Sequence, residues 1–349
     1  MMNKRILIVL LIFFSHISKG QNFASLRSAA EPLLLQGMGS FYVGGEKQAQ
    51  NVLELGGFSS DGTITIHQMY VSYLIPQNKK DNLSFVLIHG MNLSGKTWET
   101  TPDGGMGWNE YLVRKGYPIY VVDQVGAGRS GFNQKNYNLV REGKIDPSSQ
   151  QTFQRISDDN TWINFRFGLK DGSPVQEVKF PIEAMDEYSK QSIPFSLFGL
   201  PDPNPNYLNL SELAKSLDQS VLVSHSQSGA FPIEAALINP TGIEAIVMLE
   251  PGGTGEQYTD EQIQKLTNIP ILIVFGDNIE NETGLPGHSW KNYYDGWGKL
   301  VQKVNAVGGK AEIVFLPDLG IKGNSHMLMQ DINNQVVADF MLSWLSKKL

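Results

Sequence analysis

SVLVSHSQSGAFPIEAALINP, residues 220–240, is the stretch that decides the fold. Val221 to His225 is a short apolar run suited to a buried strand, and Gly229 to Ile238 reads as a helix stopped by Asn239-Pro240. Across the junction stand Ser224, Ser226 and Ser228, a hydroxyl residue at every second position. An ordinary polar strand-to-helix turn accounts for that composition. A sharp bend that lifts one serine out of the sheet as a nucleophile accounts for the spacing as well. Such an elbow needs small residues two before and two after the nucleophile, because the helix recrosses close to the strand; its usual form is G-x-S-x-G. Here Ser224 and Ser228 stand at the glycine positions and Ser226 at the nucleophile position. Serine is small but keeps a Cβ, which makes the replacement tolerable.

Outward from this stretch the same alternation continues. Phe41 to Val43 and Thr63 to Ile75 are expected as early strands, the second alternating through Ile64, Ile66, Met69, Val71 and Tyr73. Ser84 to His89, Tyr117 to Asp123, Gly242 to Glu250, Ile269 to Gly276 and Ala311 to Pro317 are further strands. Trp108 to Lys115, Tyr293 to Val307 and Asn333 to Lys348 are expected helices. Short apolar strands separated by helices imply an α/β fold: a mostly parallel central sheet with helices on both faces. One interval breaks the rhythm. Roughly a hundred residues separate Asp123 from Val221, where one crossover needs about a dozen. Residues 133–207 carry Tyr137, Phe153, Trp162, Phe165, Phe167, Phe195 and Phe198 among Asn, Gln and Pro. Because this segment leaves from a strand's carboxyl end, where open sheets place ligands, it is expected as an inserted cap over the sheet. For Arg155 and Arg166 within it, surface ion pairing is the expected role, with a substrate carboxylate as the alternative.

The chain has 349 residues, 41% hydrophobic and 18% charged, which suits a folded globular protein. Its net charge is -7 and no Lys/Arg cluster stands out, so nucleic acid is not an expected partner. MMNKRILIVLLIFFSHISKGQ opens with Lys4 and Arg5, continues through an apolar run from Ile6 to Phe14, and ends with Ser18 and Gly20 ahead of Gln21. That is the pattern of a cleaved signal peptide over residues 1–20, and the apolar run is too short to span a bilayer. Its removal takes away Lys4, Arg5 and Lys19 and carries the net charge from -7 to -10. A periplasmic or secreted location follows, with no membrane partner. There is no cysteine, which excludes disulfides, a thiol nucleophile and thiolate metal sites.

A serine hydroxyl needs a base, a carboxylate that orients the base, and N–H donors for the oxyanion. Of six histidines only His288 and His326 follow Ser226. His326 lies in GIKGNSHMLMQD, a glycine-rich loop after the last strand, and is the expected base. Asp277 and Glu250 each end an apolar strand, and position alone leaves the acid open between them. The Gln227 backbone N–H follows the nucleophile directly, and HGMNLSGKTW after the strand ending at His89 offers Met91 N–H as the second oxyanion donor. His89 itself is expected to be structural, hydrogen-bonded under that loop. Gly126-Ala127-Gly128-Arg129-Ser130-Gly131 matches G-x-G-x-x-G, but no amphipathic helix and acidic strand end follow, so no dinucleotide cofactor is expected. No H-E-x-x-H occurs and the histidines are scattered, so no metal is expected either.

Taken in order, HGMNLSGKTW, DQVGAGRSG, SHSQSG, MLEPGG and GNSHM resemble the α/β-hydrolase superfamily, and more narrowly the secreted bacterial esterases of the esterase 713 type. The resemblance covers nearly the whole chain after the leader. It implies an α/β-hydrolase core over 21–132 and 208–349 with the cap inserted over 133–207. It also implies a glutamate acid on the strand after the nucleophile, which falls on Glu250, a base at His326, and an oxyanion hole from Met91 and Gln227. The chain departs from disulfide-bearing relatives in lacking cysteine. The implied activity is hydrolysis of a small-molecule carboxylic ester, with a homodimer left open. The rival readings are a lactonase, perhydrolase or lyase on the same residues, and a binding protein that kept the fold without catalysis.

Overall fold

Six apolar runs become six parallel strands. The computed structural model describes residues 29, 31–196 and 199–349; the expected leader at 1–20 and Phe198 lie outside the described residues. In chain order the elements are β1 (Leu35–Gln50), β2 (Gly62–Pro76), β3 (Ser84–Ile88), α1 (Trp108–Arg114), β4 (Ile119–Asp123), α2 (Lys135–Arg141), α3 (Asp158–Asn164), α4 (Met185–Lys190), α5 (Pro205–Leu217), β5 (Ser220–His225), α6 (Phe231–Ile238), β6 (Ile243–Leu249), α7 (Asp260–Lys265), β7 (Ile271–Phe275), α8 (Trp290–Ala306), β8 (Ala311–Phe315) and α9 (Asn334–Lys348). The strands form one sheet in the order β1-β2-β4-β3-β5-β6-β7-β8. β1 with β2 and β2 with β4 are antiparallel; from β4 through β8 all neighbours run parallel. This is the expected α/β architecture, a mostly parallel sheet with helices.

The alternation along each central strand sorts the core into two layers. Phe85, Leu87, Val221 and Val223 point to the side covered by Leu112 of α1 and Val337, Met341 and Trp344 of α9. Val86, Ile88 and Leu222 point to the side covered by Leu213 of α5, Ile233 of α6 and Trp297 of α8. Each large apolar side chain buried this way contributes about 1.5–3 kcal/mol. Both layers seal the sheet, so its polar strand ends are held by a rigid base.

Two parts of the fold go beyond the sequence pattern. β1 extends far past Phe41–Val43, because its pairing with β2 holds a largely exposed strand whose glycines and polar residues carry no apolar signal. Among the described residues the interval between β4 and β5 holds four α-helices. Three of them, α2, α3 and α4, are short, and α5 begins at Pro205, ahead of the expected core boundary at 208, with Asn204 accepting from Asn206 N–H as its cap.

Candidate active site

The carboxyl ends of β3, β5 and β6, the loop after β8 and the turn after α3 converge on one place. Ser226 leaves β5 at φ +58, a left-handed conformation that a side-chain-bearing residue adopts only when its surroundings force it. The two serines at the glycine positions knit the bend: Ser224 Oγ donates to the Gly229 carbonyl at 3.0 Å, and Ser228 Oγ donates to the His225 carbonyl at 3.0 Å. The tight approach falls one residue later, at Gly229, where a Cβ would sit 2.4 Å from Pro251 Cβ. Gly90 is the other pinch point, since a Cβ there would lie 2.9 Å from Ser226 Cβ.

His326 Nε2 lies 2.9 Å from Ser226 Oγ, and His326 Nδ1 lies 3.1 Å from Glu250 Oε2. A carboxylate facing Nδ1 puts the ring proton there and leaves the Nε2 lone pair toward the serine hydroxyl. Glu250 follows β6 at φ +52, and both it and His326 are fully buried. Burial, then the positive charge of Arg166, then His288, hold the His326 imidazole well below the ordinary histidine range, which favours the neutral ring. Asp277 is engaged elsewhere: its carboxylate accepts from Asn278 N–H at 2.7 Å and Gly323 N–H at 2.9 Å, steadying the turn after β7 and the loop that carries His326. That loop is also held by Asp331, which accepts from Ser325 N–H, Ser325 Oγ and Asn324 Nδ2.

Met91 and Gln227 line a cavity of about 430 Å³ beside Ser226, together with Asn92, Phe165, His288 and Trp297. The loop carrying Met91 rests on His89, whose Nε2 accepts from Gln124 N–H at 3.0 Å and whose Nδ1 donates to the Gly90 carbonyl at 2.8 Å. Gln124 Nε2 reaches the His89 carbonyl and also donates to Gln227 Oε1 at 3.2 Å, tying the two sides of the cavity floor together. The G-x-G-x-x-G bend is a structural knot. Asp123 accepts from Gly95 N–H at 2.7 Å, Arg129 N–H at 2.8 Å and Arg129 Nε at 2.7 Å, and Arg129 stacks on Tyr70.

Arg166 was expected at the surface or against a substrate; it is 1% exposed and its Nη2 donates to Glu250 Oε1 at 2.6 Å. The sequence carried a faint signal in NFRFG, a cation flanked by two aromatics, but its partner lies 84 residues away and no local pattern names it. Arg155 is exposed and reaches the Ser189 carbonyl at 3.3 Å.

No family model matches the chain. A solved structure described as a novel bacterial esterase is similar at 44% identity with a TM-score of 0.85, covering 92% of this chain and 99% of the other. A probable secreted lipase, phiG, from a fungal species (strain ATCC 74256) is 22% identical over 334 residues, 80% of this chain and 86% of the relative. Among the described residues no helix is long and apolar enough to cross a membrane.

Proposed function

The chain belongs to the α/β-hydrolase family of bacterial esterases, and from that premise we propose that it is a serine carboxylic ester hydrolase that works through an acyl-enzyme on Ser226, His326 and Glu250. Ser226 Oγ attacks the acyl carbon while His326 Nε2 takes the hydroxyl proton. The carbonyl electron pair moves onto oxygen, and the Met91 and Gln227 N–H groups receive that charge. Collapse of the tetrahedral adduct breaks the bond to the alkoxy oxygen, and His326 returns the proton to the leaving alcohol. Water, deprotonated by the same ring, then attacks the acyl-enzyme and frees the acid. Glu250 holds Nδ1–H throughout and stabilises the transient imidazolium.

What supports this reading above all is the unbroken relay from Ser226 Oγ through His326 to Glu250, 2.9 and 3.1 Å per link, opening on a substrate-sized cavity. The test is intact mass and peptide mapping after exposure to a fluorophosphonate. A single adduct on Ser226, absent from denatured protein and from Ser226→Ala, is the expected result; a folded protein that takes no label would favour a binding protein. Export belongs to the same proposal, resting on the charged, apolar and small-residue pattern of 1–20. N-terminal sequencing of protein recovered from its native host should begin at Gln21, and a chain still starting at Met1 or Met2 would refute it.

A further inference from the structure

Asn164, Phe165 and Arg166 close around the base and the acid from one side. The Asn164 carbonyl accepts from Trp290 Nε1 at 2.7 Å, and the Trp290 ring lies 4.1 Å from the His326 ring. The Phe165 carbonyl accepts from His326 N–H at 3.0 Å, and its ring packs 4.6 Å from the imidazole. Arg166, at φ +61, sends Nη2 to Glu250 Oε1 and Nε to the Asp277 carbonyl at 2.7 Å. The Glu250 carboxylate is thus divided: Oε1 takes Arg166 and Gly276 N–H, and Oε2 takes His326.

A carboxylate with no exposed surface holds its charge only against a partner. The other ionisable groups around this pair are His225, whose Nε2 donates to the His326 carbonyl at 3.0 Å, His288 at the cavity wall, Asp331 under the loop, and Asp277, whose carboxylate is engaged by Asn278 and Gly323 N–H. Burial holds both of these imidazoles below the ordinary range, against charging, and neither aspartate is a cation. Arg166 is the permanent cation in contact with Glu250. We propose that Arg166 is a positioning residue for the catalytic acid, holding Glu250 charged and turned so that Oε2 meets His326 Nδ1, and that this makes docking of the inserted segment a condition for turnover. Without the guanidinium, the buried carboxylate is left without a counter-charge and favours taking up a proton. A protonated Glu250 donates to Nδ1 instead of accepting from it, the imidazole proton moves to Nε2, and the base no longer faces Ser226.

The inference rests on the triad reading, and the two fail separately. Full-length wild type, Arg166→Met, Arg166→Lys, Glu250→Gln and the Glu250→Gln/Arg166→Met pair are compared on p-nitrophenyl acetate from pH 5 to 9. Arg166→Met should lower kcat with little change in KM and move the acidic limb of kcat/KM up by roughly one to three pH units, the span a lost neighbouring charge accounts for. Arg166→Lys should recover part of the rate and of the shift. In the Glu250→Gln background, removing Arg166 should cost little more. An equal loss at every pH, with full additivity, would reduce Arg166 to a structural prop and overturn the proposal. A KM that rises only for esters bearing a carboxylate would overturn it in favour of substrate binding. Should Arg166→Met fail to fold, the Arg166→Lys profile decides, since an unmoved limb there is also fatal. If wild type takes no fluorophosphonate on Ser226, the triad reading has failed; a labelled wild type with an unmoved limb fails this proposal alone.

Discussion

At Ser226 the backbone sits in a conformation that costs a non-glycine residue about 1–3 kcal/mol, and the hydroxyls of Ser224 and Ser228 help offset it. Removing only Oγ leaves that scaffold intact, so Ser226→Ala should abolish ester turnover with an unchanged circular dichroism spectrum. Glu250→Gln should lower kcat by about 10⁴, the magnitude seen when an orienting carboxylate of such a triad becomes an amide. Asp277→Asn should cost far less, because its oxygens serve backbone N–H groups; steady-state kinetics that rank the two the other way would move the acid to Asp277. The proposed nucleophile Ser226 and base His326 could be named because an elbow is a local pattern and a base after the last strand is a matter of chain order. For the proposed acid, position left Glu250 and Asp277 open, because they end adjacent strands and only the direction of each side chain separates them; the resemblance alone pointed to Glu250.

At the scale of elements, the short central strands were legible because burial on both faces demands an unbroken apolar run. The helices between β4 and β5 were not. Their order comes from contacts with distant residues, such as Asn92 Nδ2 donating to the Gln154 and Ile193 carbonyls. The elbow also depends on how β5, α6 and the turn after β6 meet at Gly229. A methyl group there would run into Pro251, and overpacking of that kind costs typically about 1–3 kcal/mol. Urea denaturation of Gly229→Ala should show a loss in that range, with a specific activity that falls further than the stability because Ser226 shifts with the turn.

Over the whole molecule, His89, His225 and His326 are fully buried, and burial holds each ring below its ordinary 6.5. Below pH 6.5 the unfolded chain binds protons that the folded chain refuses, so their contribution is complete above that pH and is lost as pH falls. Asp331 works in the opposite sense: burial pushes it up to about 7, so the folded state holds a proton between 7 and 3.8 that the unfolded state does not. The imidazoles pull the urea midpoint down from pH 7 toward pH 5 and Asp331 pulls it up, so the midpoint should fall more steeply in Asp331→Asn than in wild type; equal slopes in the two would mean that Asp331 takes up no proton on folding.

The division of the Glu250 carboxylate between Arg166 and His326 has a temporal consequence. In the proposed triad the nucleophile, acid and base come from three separated parts of the chain, and the base comes last of the three in chain order. On the Arg166 proposal, a nascent or half-refolded molecule with its sheet in place but the 164–166 turn undocked would hold an incomplete relay and stay latent. Catalytic competence would then be a read-out of finished assembly. In a refolding experiment, regain of ester turnover should lag behind regain of far-ultraviolet ellipticity.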